Sequence, residues 1–127
     1  MPKRVLIVED NPISMEFLRE LVEAEGYRVL PAMSGPEALS IARAEHPDLI
    51  LMDIQLPGID GLAVTRILKA QPDTKEIPIV GVSAYALQDD INAALEAGCT
   101  AYFTKPLDMP RFLDLMGRLL SRDDHTS

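Results

Sequence analysis

Apolar and polar positions fall along the chain in blocks of two kinds. Continuous apolar runs stand at Val5-Leu6-Ile7-Val8, Leu49-Ile50-Leu51-Met52, Ile77 to Val82 and Ala101-Tyr102-Phe103-Thr104, with a shorter one at Arg28-Val29-Leu30. Short runs bounded by turn residues suit strands buried on both faces, as in a parallel sheet. Between them, apolar residues recur at helical spacing. The stripes are Phe17, Leu18, Leu21 and Val22; Ala38, Leu39, Ile41 and Ala42; Val64, Ile67 and Leu68; Leu87, Ile91, Ala94 and Leu95; and Phe112, Leu113, Met116, Leu119 and Leu120. Start and stop signals frame them. Asn11-Pro12 opens the first helix and Gly26 closes it, and Ser34-Gly35-Pro36-Glu37 has the spacing of a capping box. Asp60 caps the third helix, Pro72-Asp73 breaks it, Gly98 ends the fourth, and Asp108 with Pro110 opens the fifth. Pro31 places the short second strand at a sheet edge.

Five strands alternating with five helices predict an α/β domain, a parallel sheet with right-handed crossovers and helices on both faces. The 127 residues suffice for one domain, expected over residues 1–121, with 122–127 as a polar C-terminal tail. The composition, 47% apolar and 25% charged, is that of a globular chain. No apolar run reaches the length of a membrane span, so no membrane insertion is expected. The basic start at Lys3-Arg4 leads into only four apolar residues before Glu9-Asp10, too few for a signal peptide. The lone Cys99 cannot form an internal disulfide; a small buried residue in a reducing, cytoplasmic setting is expected. A net charge of −8 and a pI of about 4.6 argue against a nucleic-acid partner, which needs a basic patch. They are compatible with metal binding and with basic protein partners.

The chemistry gathers where strands end. Asp53 closes the third strand, Glu9 and Asp10 follow the first, Ser83 follows the apolar run of the fourth, and Lys105 follows the fifth. Each has an ordinary reading as a solvated end, a cap or a turn former. Matching chemistry on four strands sets them apart, because ligands of open α/β sheets bind beyond the carboxyl ends of the strands. With strand order 2-1-3-4-5, the first and third strands are neighbours and Glu9, Asp10 and Asp53 converge. Carboxylates so placed repel by about 1–4 kcal/mol per pair at effective dielectrics between about 80 and 20. One lysine offsets part of this. An all-oxygen site of few ligands favours Mg²⁺, with Mn²⁺ also possible. Beside such an ion, Asp53 can act as a nucleophile toward phosphorus, while Lys105 neutralises phosphoryl oxygens and Ser83 donates a hydrogen bond to one of them.

Four motifs carry a resemblance: Val-Leu-Ile-Val-Glu-Asp-Asn at 5–11, Asp-Leu-Ile-Leu-Met-Asp-Ile-Gln-Leu-Pro-Gly-Ile-Asp-Gly at 48–61, Ile-Val-Gly-Val-Ser-Ala at 79–84 and Gly-Cys-Thr-Ala-Tyr-Phe-Thr-Lys-Pro at 98–106. In this order and spacing they resemble the receiver domain of two-component response regulators over residues 3 to 121. The resemblance implies a flavodoxin-like (βα)5 fold with strand order 2-1-3-4-5. It implies Asp53 as phospho-acceptor, Asp10 as a direct Mg²⁺ ligand, Glu9 reaching the ion mainly through water, and the Gln55 carbonyl as a further ligand. It casts Ser83 and Lys105 as phosphoryl partners, Ser83 with Tyr102 as the switch, and the Lys105–Pro106 bond as cis. Gln55 and Tyr85 stand where family members tune the lifetime of the acyl phosphate.

The resemblance implies a phosphorylation-switched signalling protein rather than an enzyme. Its donor is a histidine kinase or histidine phosphotransfer protein, and its output is protein binding at the face of the fourth helix, fifth strand and fifth helix. The runs at 38–43 and 47–57 are similar to those of stand-alone regulators of the DivK type, which act in cell-cycle and polarity control. A phosphorelay intermediate handing phosphate to a histidine phosphotransfer protein is the alternative. An aspartyl-phosphate phosphohydrolase of the haloacid dehalogenase type wants a second acid where Gln55 stands, and its nucleophile on the first strand. An FMN-binding flavodoxin wants a Ser/Thr-Gly phosphate loop that residues 9–14 lack. His46, before a proline, and His125, in the tail, are not placed for catalysis.

Overall fold

The computed structural model describes residues 2–56, 60–84 and 87–121. Strand β1 (Arg4–Val8) leads to α1 (Pro12–Ala24), β2 (Arg28–Ala32), α2 (Gly35–Glu45), β3 (Leu49–Asp53), α3 (Gly61–Ala70), β4 (Ile79–Ser83), α4 (Gln88–Ala97), β5 (Ala101–Thr104) and α5 (Met109–Ser121). All strand pairs are parallel, in the order β2-β1-β3-β4-β5, so the flavodoxin-like topology expected from the motifs is the one observed. The expected tail at 122–127, the loop at 57–59 and Tyr85 lie outside the described residues.

Side chains alternate across the sheet with the period of two that a strand imposes. Val5, Ile7, Leu49, Leu51 and Val80 pack with Met15, Leu18 and Val22 of α1 and Phe112, Met116 and Leu120 of α5. Leu6, Val8, Ile50, Met52 and Ile79 pack on the other side with Ala38 and Ala42 of α2, Val64 and Leu68 of α3, and Ala94 of α4. Every residue of β3 and β4 is buried, which is why those strands read as unbroken apolar runs.

Most caps act as the sequence predicts. The Asn11 side chain accepts from the Ile13 and Ser14 N–H groups, and Asp60 Oδ1 accepts from Ala63 N–H at 2.8 Å. At α2, Ser34 accepts from Glu37 N–H, but Glu37 Oε1 accepts from Met33 N–H, one residue earlier than a capping box would have it. β2 runs on through Pro31 to Ala32, a proline tolerated because β2 is an edge strand. β4 starts at Ile79, not Ile77, although the Pro78 carbonyl still accepts from Ile50 N–H.

Two helix faces depart from expectation. Phe17 is 51% exposed, and α1 is buried instead through Met15, Leu18 and Val22. Leu87 and Leu95 are 69% and 46% exposed, and α4 lies on the sheet through Ala94 and Ala97.

Candidate functional site

The carboxyl ends of β1, β3, β4 and β5 form one crevice. β1 delivers Glu9, whose N–H still donates to the Ala32 carbonyl at 3.0 Å, one residue past the strand. The next turn is set by the Asn11 cap, which leaves Asp10 exposed at the rim. Asp53 is the last residue of β3 and is buried. Its Oδ1 accepts from the Gln55 N–H at 2.9 Å, a local turn that fixes the carboxylate and redirects the chain. Oxygens of Glu9, Asp10 and Asp53 lie within 4.8 Å of one another.

Ser83, the last residue of β4, is buried. The Lys105 N–H donates to the Ser83 carbonyl at 2.8 Å, tying the loop after β5 to the end of β4. Lys105 Nζ lies 3.1 Å from Glu9 Oε1, one third exposed against a carboxylate that is fully enclosed. The Lys105–Pro106 bond is cis, as the motif at 98–106 implies. Tyr102 is half-buried on β5, in register with Gly81 of β4. The structure thus gathers Glu9, Asp10, Asp53, Ser83 and Lys105 at one edge, with Gln55 immediately beside them.

Glu9 is only 1% exposed, and its Oε2 has no hydrogen-bond partner among the described residues. Burial pushes its carboxyl up to about 7, the neighbouring Asp53 pushes the same way, and Lys105 opposes both. An enclosed carboxylate oxygen without a donor, facing two further carboxylates, needs a cation or a proton. The donor set is entirely oxygen and therefore fits a small hard divalent ion.

Two positioning features are visible only in three dimensions. Gly61 read as the start of a helix, yet a Cβ there would collide with the Asp53 carbonyl oxygen and lie 2.7 Å from Ile54 Cα. The α3 N-terminus packs directly on the back of the Asp53 peptide, and its N–H donates to the Ile54 carbonyl at 3.1 Å. The Asp60-Gly61 pair was the available signal. The second is the Gln55 side chain, whose Oε1 accepts from Ala84 N–H at 3.2 Å; nothing in a linear pattern foretells a bond between two loops.

A family model described as "Response regulator receiver domain" matches residues 5–116. Polar-differentiation response regulators DivK from Brucella ovis and Brucella abortus are 48% identical over 114 residues, covering 90% of this chain and 93% of theirs. Among solved structures, a CheY-like response regulator receiver domain protein from Methanospirillum hungatei superposes with a TM-score of 0.89 at 27% identity, covering 100% of both chains. The receiver domain of a sensor histidine kinase from Pseudomonas aeruginosa, solved with a magnesium ion coordinated in its active-site cleft, matches with a TM-score of 0.87 at 33% identity, over 95% of this chain and 99% of that one.

Proposed function

This chain belongs to the response regulator receiver domain family, and from that premise we propose that Asp53 accepts a phosphoryl group from a histidine kinase or histidine phosphotransfer protein. The observation that carries this reading is the Glu9–Asp10–Asp53 carboxylate cluster, with Glu9 and Asp53 buried, Asp10 exposed at its rim, and Lys105 paired with Glu9. Glu9, Asp10, Asp53 and the Gln55 carbonyl would hold Mg²⁺, or Mn²⁺ in its place. When bound, such an ion neutralises charge on the phosphoryl oxygens.

The chain's own residues do the rest. The Gln55 N–H holds Asp53 Oδ1, leaving the other carboxylate oxygen to attack phosphorus. The phosphorus–nitrogen bond of the donor phosphohistidine breaks, and its imidazole leaves with the electron pair. Lys105 pairs with the transferred group and Ser83 donates to one of its oxygens. Phosphorylation adds about −1.5 to −2 charges at this edge. Ser83 moves toward them, Tyr102 turns inward behind it, and the α4–β5–α5 face changes.

That face is suited to output. Leu87, just before α4, and Leu95 on α4 stand exposed, and Tyr102 lines cavities of about 190 Å³ toward α5 and about 330 Å³ toward Ile91 of α4. The donor has a different rim. Exposed Ile13 and Phe17 of α1, with Leu107 and Met109, line an apolar cleft of about 410 Å³ that runs up to Lys105. The same rim would serve return of the phosphoryl group to a histidine phosphotransfer protein.

The likeness to polar-differentiation regulators supports a place in cell-cycle or polarity control. Residues 1–121 serve as the receiver unit. No helix among the described residues is long and apolar enough to cross a membrane, and the lone cysteine and the phosphoryl chemistry favour the cytoplasm. The test is acetyl phosphate with Mg²⁺: wild type gains one acyl phosphate and Asp53→Asn gains none by mass spectrometry. Labelling of Asp53→Asn at the wild-type level would remove Asp53 from the role.

A further inference from the structure

One side chain joins the loop after β3 to the loop after β4. Gln55 Oε1 accepts from Ala84 N–H at 3.2 Å, while the Gln55 N–H donates to Asp53 Oδ1 at 2.9 Å. Gln55 therefore touches the carboxylate with its main chain and the residue after Ser83 with its side chain. Only the carboxamide oxygen can accept from a backbone N–H, so that bond sets the orientation of the amide. Its nitrogen, Nε2, is then buried with no hydrogen-bond partner among the described residues. A buried, unmatched donor is unfavourable, so this orientation persists only while the Ala84 bond holds it.

We propose that the Gln55 carboxamide is a positioning latch that holds the segment after β4 in its resting place and releases it when Asp53 is phosphorylated. The proposal rests on the reading of Ser83 as the group that moves toward the phosphoryl oxygens. The Ala84 N–H and the Ser83 carbonyl belong to one peptide unit, so a main-chain shift of Ser83 toward the phosphoryl group strains the bond to Gln55 Oε1. The bond given up is between neutral groups, whereas the one Ser83 gains is to an anion and is about twice as strong. Released, the carboxamide can also turn Nε2 out of burial. The latch thus favours the resting form before phosphorylation, and its loss helps to complete the change afterwards.

Gln55→Met keeps the length of the side chain and removes both polar atoms. The loss of one net hydrogen bond of ordinary strength should raise the active-to-resting ratio of the unmodified protein about fivefold. The backbone amide resonances of Ala84 and Tyr102, recorded in Mg²⁺ with and without beryllium fluoride, define the two ends of the change in wild type. Without beryllium fluoride, Gln55→Met should lie displaced along that line toward the activated end, and should bind beryllium fluoride up to about fivefold more tightly. Gln55→Asn, one methylene too short to reach Ala84, should move the same way. Amides that stay at the resting end in both variants, with unchanged or weaker beryllium fluoride binding, overturn the latch and leave the receiver reading standing. A lowered melting temperature without movement along that line also overturns it, since that marks a merely structural contact. A wild type that shows no response to beryllium fluoride overturns both readings together.

Discussion

Glu9 is a carboxyl enclosed beside two others, and its proton is held more tightly in the native protein than in the unfolded chain. Burial, and then Asp53, raise it from 4.5 to about 7 against the pull of Lys105. The folded state therefore binds the extra proton between those limits, and stability falls as pH rises through that window. The contribution is fully present below about pH 4.5 and lost above about pH 7, on the order of 3 kcal/mol. With a chelator present, chemical denaturation of wild type should show this decline, and Glu9→Gln should flatten it. A wild-type profile that rises across the same window would contradict the enclosed position of Glu9. The acidic pair at 9–10 was legible as site chemistry from its place after an apolar run. That one member is sealed and the other exposed was not legible, since the two are adjacent in sequence and only the Asn11 turn and the neighbouring strands separate them.

The strands are the elements the sequence announces most clearly, because burial on both faces leaves an apolar run with no competing pattern. The helices are less plain. In α1, Phe17 fits the same spacing as Leu18 and Leu21, yet the sheet is met by Met15, Leu18 and Val22 and Phe17 stands half in solvent. At α4, the N-cap Leu87 and Leu95 carry the strongest apolar signal while Ala94 and Ala97 are the buried residues. A periodic pattern marks an apolar face without saying whether the sheet or another protein covers it. For α1 the exposed pair Ile13 and Phe17 lines the cleft beside Lys105, which suits a docking donor. An aromatic anchor of this kind is worth roughly a tenfold change in transfer when truncated. Phe17→Ala should slow phosphotransfer from a cognate histidine protein by about that factor and leave labelling by acetyl phosphate unchanged. Equal slowing of both reactions would place the fault in the site and not in docking.

At the scale of the whole molecule, the crevice exists because β1 and β3 are neighbours while the chain passes through β2 and α2 between them. Lys105 links that crevice to β5, through its N–H to Ser83 and its ammonium to Glu9. Lys105→Ala should still bind Mg²⁺ by calorimetry but lose phosphorylation-dependent binding of its protein partner. A variant that engages its partner as wild type does, only when phosphorylated, would strip the lysine of its coupling role. The alternation of strands and helices, the caps, and the residue types waiting at four strand ends are written in the linear chain, since these follow from local periodicity and from chemistry carried by single side chains. Which carboxylate is enclosed, which apolar helix faces look outward, why Gly61 admits no side chain, and that Gln55 reaches Ala84 emerge only on folding. Those are relations between segments far apart in the chain, and their energies arise from burial and contact that exist only once the sheet has closed around them.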